Sequence, residues 1–384
     1  MTRTQEFFVF ISVALLIYVL LNFYVYIRGR ETLPEQWRTF YTIVFWLLAS
    51  TFIVGNILER SVPSRISTAF IWVGSFWLGA LAYSVILLLL IDCIRLIFAA
   101  LPFLPRISIS KSVLGIVVFS IVLVAVIASR INALNPVVKN LDISIDKHAP
   151  MDQLTIAAVS DIHLGTLVCN SHFEKIVDRI NGLQPDIILL VGDVVDEDIE
   201  PVIRNNLGET LKRLHAPYGV YACTGNHEYI GGVERACKYL EEHDIRMLRD
   251  SVATVAGGLV IVGREDVMSR GMLGRDRKPL AELLRSVPKE MPILVMDHQP
   301  VTLGEAAAAG VDVQLSGHTH NGQLFPLNYI ASAIYEVSWG YKKKDSTHIY
   351  VSCGVGTWGP PMRSGNRPEI AKLTLHFSGK EGTK

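Results

Sequence analysis

Four apolar runs crowd the first third of the chain, at residues 7–27, 39–58, 68–91 and 113–128. They restrict the fold more than anything that follows. The hydrocarbon core of a bilayer takes about 20 apolar residues of α-helix to cross. Inside it a chain must satisfy its own backbone hydrogen bonds, which a helix does without help. Three runs meet that length and the fourth is shorter. Each ends on charge: Arg28 and Arg30, Glu59 and Arg60, Asp92 and Arg95, and Arg130. Trp46, Trp72 and Trp77 suit interfacial belts. The first run is too long for a cleaved signal peptide and no small-residue cleavage site follows it. The pattern predicts a bundle of four transmembrane helices over residues 1–130, a multi-pass unit in the cell membrane. Transport sites carry ionisable groups at membrane depth. Here Asp92 lies at the end of a span with Arg95 in reach of it, so the bundle reads as an anchor.

With four spans both chain ends lie on one side. The first and third loops hold Arg28, Arg30, Arg38, Arg95, Arg106 and Lys111, against Arg3, Arg60, Arg65 and Arg130 opposite. The positive-inside bias puts those loops in the cytoplasm and the C-terminal domain on the extracytoplasmic side. These runs also account for the 50% hydrophobic composition and the positive mean hydropathy of +0.34. Lys and Arg number 36, as do Asp and Glu, so net charge offers no attraction for nucleic acid. The 5 Cys are scattered without a C-x-x-C pair, which argues against a disulfide framework and a thiolate zinc site.

From residue 131 the texture changes. Asn135-Pro136 breaks the last helix, and residues 141–145 alternate like an edge strand. Short apolar runs then read as buried strands at 154–159, 187–191, 220–224, 259–262, 293–296 and 311–315. Between them fall amphipathic stretches: one from Ser171, with Glu174 forming a capping box, to Asn181-Gly182, and others near 206–214, 233–243 and 279–286. Such alternation predicts an α/β layered domain over residues 131–384, its sheets covered by helices. Runs at 347–351 and 370–377 are expected to complete a second sheet.

Five of these strands end in a polar cluster. The first is followed by S-D-I-H-L-G with Asp161 and His163, the second by G-D-V-V-D with Asp193 and Asp196, and the third by G-N-H-E with Asn226, His227 and Glu228. D-H-Q-P supplies Asp297 and His298, and L-S-G-H-T-H-N-G-Q-L-F-P supplies His318 and His320. Five of the 11 His fall in these loops, a concentration that packing does not explain. Ligands of open α/β sheets collect at the carboxyl ends of strands, so the loops can converge on one spot. Carboxylate, amide and imidazole together suit Mn²⁺, Fe²⁺ or Zn²⁺ better than Ca²⁺ or Mg²⁺. There are more donors than one catalytic zinc uses, so two metals is the economical reading. Asp193, first in its loop after Gly192, is the candidate bridge.

D-x-H, G-D-x-x-D, G-N-H-E, H-x-P and G-H-T-H in this order resemble the calcineurin-like metallophosphoesterase superfamily, and the tail V-S-C-G-V-G-T-W-G-P-P-M-R is similar to its membrane-associated bacterial branch. The resemblance covers residue 154 onward. It implies a four-layer αββα sandwich with one metal on Asp161, His163, Asp193 and His320. It implies a second on Asp193, Asn226, His298 and His318, and a bridging hydroxide as the nucleophile for in-line attack. It makes His227 the catalytic residue that contacts phosphate and donates to the leaving oxygen. Asn226, His227 and Arg363 would face substrate, with a solvent-exposed Arg363 as the alternative. Asp196 reads as a supporting carboxylate. Glu228 and Asp297 either orient a neighbour such as His227 or cap a helix. The expected protein is a membrane-anchored, two-metal phosphodiesterase acting on a phosphoester or pyrophosphate, with membrane lipids around it and a lipid-linked substrate in keeping with the anchor. The competing class is a non-catalytic membrane sensor or assembly protein that uses the metal domain as a binding module.

Overall fold

The computed structural model describes residues 3–101, 103 and 109–378; Arg106 lies outside the described residues. The chain divides into two compact units, Met1–Arg130 with Gly359–Met362, and Ile131–Trp358 with Arg363–Lys384.

The first unit is helical: α1 (Arg3–Arg30), α2 (Glu35–Ser61), α3 (Arg65–Ala100) and α4 (Lys111–Ala133). All four contain stretches long and apolar enough to cross a membrane. The fourth, short by its apolar run alone, reaches 23 residues because Arg130 and its neighbours continue the helix. Leu47, Phe119 and Val124 are among many large apolar side chains that point outward, as lipid-facing helices require. Inward contacts are partly polar: Tyr18 donates to the Ala49 carbonyl at 2.7 Å and Trp77 to Asn22 Oδ1 at 2.9 Å. Asp92 pairs with Arg28 of α1 at 2.6 Å and accepts from Tyr24 at 2.7 Å, leaving Arg95 4.0 Å away. The partner expected one turn away is present, but the closer one lies on the neighbouring helix.

The second unit holds strands β1 (Val137–Ile145), β2 (Gln153–Val159), β3 (Ile187–Val191), β4 (Val220–Cys223), β5 (Arg246–Met247), β6 (Ser251–Val255), β7 (Leu259–Gly263), β8 (Ile293–Met296), β9 (Val313–Ser316), β10 (Gly340–Lys344), β11 (Thr347–Val351) and β12 (Glu369–Phe377). Its helices are α5 (Asn170–Asn181), α6 (Glu200–Arg204), α7 (Leu207–Leu211), α8 (Asn226–Gly231), α9 (Val233–Glu241), α10 (Met268–Leu273), α11 (Leu280–Leu283), α12 (Leu303–Ala308) and α13 (Leu327–Ile334). One sheet runs β1-β12-β2-β3-β4-β5 and the other β10-β11-β9-β8-β7-β6. Ile156, Leu189 and Leu373 of the first meet Ile261, Met296 and Leu315 of the second in a shared core. The outer face of the first packs on Phe173, Ile176 and Leu240 of α5 and α9, and that of the second on Leu280 and Ala306 of α11 and α12. The layers are α, β, β, α.

Two expectations need correcting. Residues 370–377 belong to β12, which joins the first sheet, antiparallel to β2 and parallel to the edge strand β1. Its apolar pattern announced a strand but not a neighbour. The capping box at Ser171 does not form, because α5 begins one residue earlier with Cys169 at its N-cap and no side-chain cap. Because β2, β3 and β4 are mutually parallel, and so are β8 and β9, five strands present their carboxyl ends to loops.

Candidate metal centre

The loops after β2, β3, β4, β8 and β9 meet. His163 Nε2 lies 3.0 Å from His320 Nε2, which is 3.4 Å from Asp161 Oδ1. Asp193 Oδ2 is 3.0 Å from His298 Nε2 and 3.9 Å from His163 Nε2. His318 Nδ1 is 2.7 Å from Asn226 Oδ1. The donor atoms of Asp161, His163 and His320 all lie within 4.8 Å of one another, as do those of Asp193, His298 and His318. His163, Asp193 and His227 form a third such combination.

The backbone is bent to achieve this. Asp161, His163, Asp193, His318 and His320 have φ of 54°, 53°, 51°, 70° and 46°, all in the left-handed region. Each such residue costs on the order of 1–3 kcal/mol, which persists only where the surroundings dictate it. Hydrogen bonds do the dictating: Asp161 N–H to the Gly192 carbonyl at 3.1 Å, His163 N–H to that of Asp193 at 3.0 Å, and His318 N–H to Asp161 Oδ1 at 3.0 Å. Gly192, at φ 77°, is needed because a Cβ there would meet the His298 ring at 2.6 Å.

Burial, with His298 nearby, pushes His318 down to about 3. Burial pushes His320 far down too, reinforced by His163 and Arg363. Both imidazoles are therefore neutral, with a lone pair to offer. Burial would raise the Asp193 carboxyl, but His298 and His163 outweigh it and hold it well below the usual carboxylate range.

His227 stands beside this group. Its backbone N–H donates to Asp193 Oδ1 at 2.8 Å, and its ring edges onto His163 with centroids 4.5 Å apart. Its Nδ1 is 2.9 Å from Asp196 Oδ1, close but out of line for a hydrogen bond. Burial alone would lower His227, yet Asp196 and Asp193 raise it to about 9.

Residues 154–322 match the model of the calcineurin-like phosphoesterases. An uncharacterized metallophosphoesterase of Aquifex aeolicus is 32% identical over 244 residues, covering 63% of this chain and 92% of that protein. The chain belongs to the metallophosphoesterases. It is a metal-dependent phosphoester hydrolase by family. A relative from Campylobacter jejuni, also an uncharacterized metallophosphoesterase, is 28% identical over 382 residues, 96% of this chain and 98% of its own length. A zebrafish protein (Danio rerio) named for a transmembrane protein with a metallophosphoesterase domain is 32% identical over 276 residues, 67% of this chain and 62% of that one.

The residues of this metallophosphoesterase fit the divalent ions its family implies. The donor set mixes carboxylate, amide and imidazole, as such ions accept. His298 Nε2 is buried without a hydrogen-bond partner, although it lies 3.0 Å from Asp193 Oδ2. A buried imidazole and a carboxylate that converge this closely without an aligned hydrogen bond suit a shared cation.

Two supporting residues differ from expectation. Arg363 does not face solvent. It is fully buried, donating to the Gly356 carbonyl at 2.7 Å and to Asn366 Oδ1 at 2.6 Å, with Nη2 3.0 Å from His320 Nδ1. A planar guanidinium finds enough acceptors inside the fold to be held behind the ligand. Glu228 meets its expectation: it caps α8 by accepting from the Gly225 N–H and orients a neighbour by accepting from those of Asp193 and Val195. Asp297 pairs with Arg277 at 2.8 Å, with Arg264 3.9 Å away.

Asn132 and Asn366 carried no signal in the sequence, and Trp358 stood in the quoted tail without a role. Asn366 Nδ2 donates to the His320 carbonyl at 2.6 Å, and Asn132 Nδ2 to those of Arg363 and Asn366 at 2.9 and 2.7 Å. Trp358 edges onto His227 at 5.9 Å and exchanges hydrogen bonds with Gln323 at 3.0 and 2.8 Å.

Proposed function

We propose that this metallophosphoesterase is a phosphodiesterase of the cell membrane, working with two divalent ions. One would be held by Asp161, His163, Asp193 and His320, the other by Asp193, Asn226, His298 and His318, with Asp193 shared. The observation that carries the reading is the pair of donor groups, Asp161–His163–His320 and Asp193–His298–His318, with His227 against both Asp193 and His163. Bound Mn²⁺, Fe²⁺ or Zn²⁺ would supply Lewis acidity toward the phosphoryl oxygens and lower the pKa of attacking water.

The chain's own residues do the rest. Asp193 keeps its carboxylate ionised beneath the phosphate. His227, braced by Asp196, contacts the phosphate and passes its proton to the leaving oxygen. Asn226 sits at the same substrate edge. The neutral His318 and His320 hold position through their loop hydrogen bonds.

Four membrane-length helices on the same chain favour a phosphoester or pyrophosphate carried on a lipid. The Lys/Arg bias of the first and third loops favours an extracytoplasmic catalytic domain. The test is turnover of bis-p-nitrophenyl phosphate by the detergent-solubilised full chain with added Mn²⁺. A binding module that only senses or assembles gives none with any of the three metals, and that result overturns the reading.

A further inference from the structure

The segment that follows the second G-H-T-H histidine leads directly into α13, and this helix is covered with the wrong residues for a soluble surface. From Gly322 to Tyr335 no residue carries a charge. Phe325, Tyr329, Ile330 and Ile334 are 51%, 67%, 57% and 68% exposed, and in α13 only Ala331 is buried. Phe325 and Tyr329 pair edge to face at 6.0 Å, making one apolar ridge from the loop into the helix. The contrast within the same unit is sharp: α5 and α9 bury their apolar side chains and turn Lys, Arg and Glu outward. The Pro326 N-cap and the Tyr335 C-cap fix the ridge at both ends, and Tyr335 contacts the His318 ring at 6.1 Å.

We propose that the ridge Phe325–Ile334 seats in the headgroup–acyl boundary of the bilayer that holds the four N-terminal helices. Three arguments choose lipid over a second copy or another protein. The chain carries its own membrane-length helices, so a bilayer is always within tether range. The ridge combines aliphatic residues with Tyr and Phe and lacks any charge that would specify a protein partner, which is the composition of an interfacial helix. Beside it, Lys342 and Lys344 of β10 share the one carboxylate of Glu336, leaving a net positive charge at the end of the helix that favours anionic headgroups. The inference deepens the lipid-linked reading of the metal centre and rests on it for its consequence: the ligand loop would open at the depth where a lipid phosphate lies.

Membrane contact is read first, without activity. In the full chain with Cys93→Ser and Cys169→Ser, the remaining cysteines are buried, so Ile330→Cys takes a single environment-sensitive fluorophore. Met272→Cys, on exposed α10 of the same unit, is the control. In vesicles of phosphatidylethanolamine and phosphatidylglycerol, nitroxide-labelled acyl chains should quench the Ile330 label about threefold more than the Met272 label, as an interfacial depth implies. Equal quenching overturns the proposal. So does a blue-shifted label that is unquenched and responds to protein dilution, which would assign the ridge to a second copy. The consequence is read next, with Ile330→Glu/Ile334→Glu. Turnover of a diacyl-bearing phosphodiester in those vesicles should fall about tenfold while that of bis-p-nitrophenyl phosphate is unchanged. An equal fall for both substrates overturns the consequence. If even the parent chain turns over neither, the phosphodiesterase reading fails, and the quenching result still decides the membrane contact.

Discussion

Glu228 pins Asp193: one carboxylate oxygen accepts the Asp193 N–H at 3.0 Å and that of Gly225 at 2.8 Å, while the other accepts that of Val195 at 3.0 Å. Two strand-end loops are thereby fastened through one buried side chain. Glu228→Ala would strand three buried N–H groups, each worth about 1–3 kcal/mol when unsatisfied. The expected loss is on the order of 3 kcal/mol, read as a lowered thermal midpoint of the detergent-solubilised chain together with weaker metal retention. Glu228→Gln retains an acceptor for part of this set and should fall between. An unchanged midpoint for Glu228→Ala would mean that the loops are held by other contacts.

His227 and Asp193 should separate chemistry from metal binding. His227→Ala removes the phosphate contact but no proposed ligand, so metal content by mass spectrometry should stay at the parental level. Turnover should drop about 10²–10⁴-fold, the usual contribution of a positioned acid. Asp193→Ala removes the shared ligand and should lose metal and activity together. Chelation of the parent chain should abolish activity, and added Mn²⁺ should restore it. Metal loss in His227→Ala would assign that histidine to the ligand shell.

Arg363 acts through His320 and the loop carbonyl, so its effect should appear in metal affinity. Arg363→Met keeps the volume of the stem but drops the contacts to Gly356 O, Asn366 and His320. The Mn²⁺ concentration giving half-maximal activity should rise about 10–100-fold, as for other residues that orient a ligand. Saturating Mn²⁺ should recover most of the turnover. A KM rise for bis-p-nitrophenyl phosphate at saturating metal, with metal affinity unchanged, would return Arg363 to the substrate.

Much of this architecture was readable because the chemistry sits in short motifs at strand ends. The order Asp161, His163, Asp193, Asn226, His298, His318 and His320 names both the donors and the strands that deliver them. What stayed hidden is relational. The left-handed backbone at Asp161 and His320 is imposed by contacts with distant loops and leaves no mark on residue type, whereas Gly192 does mark its turn. Arg363 read as a surface or substrate cation because nothing local shows that Gly356 and Asn366 will fold around it. The placement of β12 between β1 and β2 depends on a return from the far end of the chain. Ser171 had the residues of a capping box, but the extended Cys169 starts α5 first.

In the helical unit the decisive contact is made of what is absent. A Cβ on Gly74 of α3 would run into the backbone of Phe52 in α2, and one on Gly55 of α2 would meet Ile71 N at 2.8 Å and Phe70 C at 2.9 Å. The two glycines thus let α2 and α3 approach backbone to backbone. Within lipid such approach replaces the hydrophobic drive that water would supply, since the tails are as apolar as the side chains. Gly74→Val should therefore separate the pair more than its small volume suggests. The expected result is a lower thermal midpoint and earlier aggregation in detergent, with Gly74→Ala milder because its added methyl is smaller. An equivalent apolar enlargement at a less buried position of α3, Ala80→Val, tests whether the effect belongs to the crossing: Ala80 is half-buried, and the change should cost clearly less of the midpoint than Gly74→Val. Parity between Gly74→Val and Ala80→Val would show that α2 and α3 are held by other contacts along their length.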